Sequence, residues 1–110
     1  MFGFIKNLFK SNYETLSGSA FKELFRNTPG GILLDVRSPA EFSRGTIKGA
    51  RNMNVSDASF NQKMASLDAS KTYFVFCAAG ARSAAACSRL SSAGLKVYNL
   101  AGGINSWPKS

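Results

Sequence analysis

Strand-like and helix-like patterns alternate along the chain from residue 13 onward. Tyr13 to Leu16 predicts a short strand. Ser17 stands where an N-cap belongs, and Ala20, Phe21, Leu24 and Phe25 recur at helical spacing until Thr28, Pro29, Gly30 and Gly31 end the helix. Ile32, Leu33 and Leu34 run on into Asp35 and Val36, a continuous apolar stretch of strand length that suits a strand buried on both faces. Ser38 then caps a helical turn with Pro39 at its first position. A turn over 45–50 leads to a third strand, Arg51 to Val55, and Phe60, Met64 and Leu67 mark a helix over Ala58 to Leu67. Tyr73, Phe74, Val75 and Phe76 make the clearest strand of the chain. After it come Cys77-Ala78-Ala79-Gly80-Ala81-Arg82-Ser83 and an alanine-rich helix to about Ala93, with Gly94 as its stop. Val97 to Leu100 is the last strand, and Ile104 to Trp107 a helical turn before Pro108. Such alternation predicts an α/β fold, a parallel sheet with helices on its faces.

The chain of 110 residues suits one domain, and its 45% hydrophobic content argues against disorder. We divide it into an N-terminal amphipathic arm, residues 1–12, and a domain over 13–110. In the arm, Phe4, Ile5, Leu8 and Phe9 would share one helical face, with Lys6 and Lys10 elsewhere, the pattern of a membrane-surface or partner-docking helix. The plainer reading, an arm folded against its own domain, is preferred because ten residues bury little area. The arm lacks the basic first region and long apolar run of a signal peptide. No stretch approaches the roughly 18 apolar residues of a membrane span, so a cytoplasmic protein with reduced thiols is expected.

Fourteen Lys and Arg against six Asp and Glu leave a net charge of +8, spread from Lys6 to Lys109 without a basic run. That scatter reads as a solvated surface or attraction for a small anionic substrate, and no nucleic-acid partner is expected. The absence of histidine has sharper consequences. It removes the Ser-His-Asp and Cys-His schemes, and with only two cysteines it leaves no ligand set for a structural zinc. No metal or cofactor is expected.

The chemistry that remains centres on Cys77. It lies at the carboxyl end of a buried strand, where open α/β sheets bind ligands. The helix after it offers unpaired backbone N–H groups and a positive dipole end, and Arg82 adds a charge, so a thiolate at neutral pH is expected. The small side chains of Ala78, Ala79, Gly80 and Ala81 allow backbone N–H groups to curl inward as an anion nest. Asp35 reads as a structural carboxylate. Arg37 and Glu41, four apart, have the spacing of a turn or helix-surface ion pair within the scaffold. Cys87 reads as a small buried hydrophobe, not a resolving thiol, and Trp107 as terminal packing that could also wall the site.

Three motifs together resemble a single-domain rhodanese of the sulfurtransferase superfamily. They are Asp35-Val36-Arg37-Ser38-Pro39 with Glu41-Phe42, Gly45-Thr46-Ile47-Lys48-Gly49-Ala50 and Asn52; the Cys77 loop ending in Arg82-Ser83; and Ala101-Gly102-Gly103 with Trp107. They span Ile32 to Trp107, 76 of the 110 residues. The family usually carries His at the position of Thr46 and Pro at that of Asn54; both fall outside the loop and read as local structural substitutions. The resemblance implies α/β/α layers around a five-stranded parallel sheet of order 3-2-4-5-1. It also implies a Cys77 persulfide, with residues 78–83 binding a small anionic sulfur donor such as thiosulfate. Cyanide, a cellular thiol or an acceptor protein would take the sulfur, and Arg82 would position the donor. Alternatives are a persulfide carrier or rhodanese-like binding module with little turnover, and, more distantly, a phosphatase or arsenate reductase of related fold. Phosphatases of that kind carry five residues between Cys and Arg; here there are four.

Overall fold

The computed structural model describes residues 12–109; the N-terminal arm read from the sequence lies outside them, save Asn12. Five strands are laid down in chain order: β1 (Glu14–Leu16), β2 (Ile32–Asp35), β3 (Arg51–Asn52), β4 (Thr72–Phe76) and β5 (Lys96–Leu100). The helices between them are α1 (Gly18–Arg26), α2 (Pro39–Arg44), α3 (Phe60–Ala65) and α4 (Ala81–Ser92), with a closing 3-10 turn at Ile104–Ser106. All pairings are parallel and the sheet runs β1-β5-β4-β2-β3, the expected order read from the other edge.

β4 is central because its sequence is apolar on both faces. Tyr73, Val75 and the following Cys77 join Leu34, Val36 and Val97 beneath Ala86, Cys87 and Leu90 of α4 and Phe60 of α3. Phe74 and Phe76 join Leu33 and Leu100 beneath Phe21 of α1. On that second face Phe21 meets Phe74 edge-on at 5.5 Å and Trp107 at 6.1 Å, and Phe25 meets both as well. Trp107 therefore packs the terminus onto α1, and Lys22 lies over its ring.

The helix caps follow the sequence closely. The Ser17 side chain accepts from the Ala20 N–H, and Ser38 with Glu41 forms a complete capping box with Pro39 in the first turn. Two elements are shorter than their patterns predict by more than a residue or two. The third strand ends at Asn52 rather than Val55. Met53 and Val55 still donate to the carbonyls of Asp35 and Val36, but Asn54 turns its side-chain oxygen onto the Ser56 N–H and bends the chain away. The helix expected over Ala58 to Leu67 is confined to Phe60–Ala65, because Asp57 captures the N–H and hydroxyl of Ser59 in a turn of its own.

Phe21 is fully buried at the junction of α1, β4 and the terminal turn. Phe21→Ala should cost about 3–5 kcal/mol in urea unfolding. A loss below about 1 kcal/mol would show that this aromatic cluster does not hold the second face.

Candidate active site

The site is assembled at the carboxyl end of β4 by a loop that leaves the strand and enters α4. Cys77 follows Phe76 directly, and only 1% of its surface is exposed. Gly80 is the N-cap residue of α4 with φ +107°, a conformation open to glycine, and it turns its N–H onto the Cys77 Sγ at 3.0 Å. The Sγ also lies 3.3 Å from the Ser83 Oγ, which donates to the Gly80 carbonyl at 3.1 Å. A hydroxyl has one proton. With a thiol, S–H donates to Ser83 and Ser83 to Gly80; with a thiolate, the Ser83 hydroxyl can turn to the sulfur.

Burial pushes the Cys77 thiol up, but hydrogen bonds from Ser83, through both hydroxyl and backbone, and from the N–H groups of Gly80 and Ala79 outweigh it. The thiol titrates below its ordinary value. Cys87, on the same face, has no such donors: burial first, and then the nearby Cys77 charge, push it up to about 12. Both cysteines are free.

The third motif holds the loop from outside. The Ile104 N–H donates to the Cys77 carbonyl at 2.8 Å. A Cβ on Gly103 would fall on the Ala78 carbonyl and crowd the Ala79 nitrogen, so a side chain at Gly103 would displace the loop.

The first motif supplies the rim. Asp35 is fully buried and accepts from the Arg37 N–H at 3.0 Å, from Arg37 Nε at 2.9 Å and Nη2 at 2.7 Å, and from the Thr46 hydroxyl at 2.8 Å. Arg37 continues to the Gly45 carbonyl. Thr46 thus serves the carboxylate from the position where the resemblance led us to expect histidine. The expected Arg37–Glu41 pair is not formed. Arg37 precedes the cap of α2 and is committed to Asp35, while Glu41 grips Arg82: Nη1 to Oε1 at 2.8 Å and Nη2 to Oε2 at 2.9 Å. The Arg82 bonds, and then those from Ser38, hold the Glu41 carboxyl far below the usual carboxylate range. Arg82 is therefore not the unpaired charge expected beside Cys77; the thiol is lowered first by loop hydrogen bonds, while Arg82 still feels the Cys77 charge from its pairing with Glu41. The Glu41–Arg82 pairing, 41 residues apart in sequence, was missed by sequence reasoning.

Two surface cavities, about 420 Å³ beside Tyr13 and Tyr98 and about 430 Å³ beside Lys22 and Arg26, are lined by no residue of the loop. Cys77 and the donors around its Sγ lie with the loop instead. Among the described residues no cluster of His, Cys, Asp or Glu could hold a metal ion, and no helix is long and apolar enough to cross a membrane.

Comparison with known proteins agrees with this geometry. Residues 17–110 match the rhodanese-like domain family model. The chain is 34% identical over 95 residues to the uncharacterized protein YqhL of Bacillus subtilis, covering 86% of this chain and 71% of that one. It is 30% identical over 98 residues to the thiosulfate sulfurtransferase GlpE of Ectopseudomonas mendocina, covering 88% and 86%. Among solved structures, a rhodanese-related protein from Thermoplasma volcanium superposes with a TM-score of 0.75 at 36% identity, covering 86% of this chain and 90% of that one.

If the Ser83 hydroxyl stabilises the thiolate, Ser83→Ala should move the pH profile of Cys77 alkylation by iodoacetamide to higher pH, since removing a donor to the charged form raises an acid's pKa. Cys87 should stay unlabelled until the chain is unfolded. An unshifted profile would assign thiolate stabilisation to the backbone alone.

Proposed function

Given that the chain belongs to the rhodanese-like domain family, whose named relatives include sulfurtransferases, we propose that it moves a sulfane sulfur through a persulfide on Cys77. The observation that carries this reading is the Cys77 sulfur ringed by inward hydrogen-bond donors, in a loop with four residues between Cys77 and Arg82. The Cys77 thiolate attacks the outer sulfur of a donor such as thiosulfate. A new sulfur–sulfur bond forms, the donor's own sulfur–sulfur bond breaks, and its electron pair leaves with sulfite. A nucleophilic acceptor, cyanide in an assay or a thiol, then takes the outer sulfur and returns the thiolate. Sulfite is a good leaving group, so no general acid is required, in keeping with a sequence that holds no histidine.

The loop's N–H groups stabilise the charge on the terminal sulfur of the persulfide, as an oxyanion hole stabilises an alkoxide. A loop one residue shorter than that of the related phosphatases encloses a narrower ring, which suits one sulfur better than a tetrahedral phosphate. Arg82 is the positioning group for an anionic donor, to the extent that Glu41 releases it.

Treatment with thiosulfate should add about 32 Da, one sulfur atom, to the protein by mass spectrometry. Cys77→Ser should abolish the adduct and Cys87→Ser should leave most of it; comparable losses in both would point to a disulfide mechanism. Aryl phosphates should not be hydrolysed. Phosphatase turnover dependent on Cys77, without sulfur loading, would reverse the assignment.

A further inference from the structure

Resting on the sulfur-transfer reading, we propose that Glu41 is a specificity-determining residue, biasing the site away from dianionic donors such as thiosulfate and toward alkyl persulfides that carry at most one charge. Glu41 and Arg82 meet fork to fork, both N–H···O contacts below 3 Å, at side chains 24% and 37% exposed. The carboxylate is also held by the Ser38 N–H and hydroxyl, both at 3.0 Å, so its rotamer is fixed by the cap of α2. The guanidinium closing the loop therefore arrives already neutralised. Arg37, the other guanidinium of this rim, is committed to Asp35 and the Gly45 carbonyl.

A dianion leaving water needs cationic or hydrogen-bonding groups to offset its lost hydration. Here it must either displace Glu41 from Arg82 or enter beside a carboxylate, and both penalise it more than a donor of lower charge. Cys77 does the same work on either donor: it bonds to the outer sulfur, the donor's sulfur–sulfur bond breaks, and the electron pair leaves as sulfite or as an alkyl thiolate. Selection acts on the leaving portion, a charged sulfonate in thiosulfate and an uncharged alkyl group in the persulfide, while the loop amides address the transferred sulfur common to both.

The test follows Cys77 persulfide formation by mass against concentration of thiosulfate and, separately, of 2-hydroxyethyl persulfide. Glu41→Gln removes the charge and one arm of the fork while keeping a residue suited to the capping box. The ratio of loading efficiencies, thiosulfate over persulfide, should rise roughly tenfold, a modest factor because the pair is partly exposed and screened. The gain should appear as tighter thiosulfate binding and should vanish when Glu41→Gln is made in an Arg82→Ala background. An unchanged ratio, or an equal slowing with both donors that persists without Arg82, would make Glu41 a mere prop of the loop and overturn the inference, while loading itself upholds sulfur transfer. Failure of both donors to load the unaltered protein would overturn the sulfur-transfer reading and this inference with it.

Discussion

The buried carboxylate of Asp35 is the constraint on which the rest of the site depends. Fully enclosed at the end of β2, it is satisfied by the Arg37 backbone and fork and by the Thr46 hydroxyl. Asn52 adds a second layer, donating from one amide to the carbonyls of both Asp35 and Arg37. A buried charge held this way adds little net stability over an apolar substitute, but removing a partner leaves it uncompensated at a cost of about 3–5 kcal/mol. What the arrangement secures is position. These bonds pin the turn after β2, from which Ser38 and Pro39 start α2 and Glu41 reaches Arg82.

The strands were legible because each buried strand is a bounded apolar run, and the caps because Ser17, Ser38 and Pro39 act through neighbours three residues away at most. The order of the sheet came from resemblance to a family, since alternation alone fixes a parallel sheet without ordering its strands. What was misread involved competition between side chains and backbone. Asp57 and Asn54 form local turns that shorten α3 and β3, and a hydrophobic pattern carries no record of them. Arg37 and Glu41 have helical spacing, yet the helix begins only at Pro39, so the i to i+4 rule did not apply. Arg82 has its partner 41 residues away, visible only once β2 and β4 lie side by side.

Cys77 shows two opposing effects at one atom. Its burial disfavours charge, and a cysteine in the same core without donors, Cys87, is driven far the other way. The two differ in a few hydrogen bonds, most from peptide groups, and in the deeper burial of Cys87. That is a preorganised solution: the N–H groups are fixed by the entry to α4 and by the Ile104 and Gly103 contacts, and need no reorganisation to meet a charge on the sulfur.

A site made of backbone has a consequence for how its selectivity can vary. Peptide N–H groups are the same whatever the side chains, and the backbone at Ala78 and Ala79 is packed so closely against Gly103 that a carbon added there would strike it. A change in the backbone of the loop would disturb the hydrogen bonds that hold the Cys77 thiol below its ordinary titration. The rim is free of that coupling. Arg82 touches the loop through its backbone but meets α2 through its side chain, and Glu41 belongs to an element stabilised separately by its own cap. Charge at the mouth can therefore change without disturbing the donors around the Cys77 Sγ. The surroundings of the Cys77 sulfur are thus set mainly by the backbone of one loop, and the charge at its mouth by a pair of side chains, one from α2 and one from the first turn of α4.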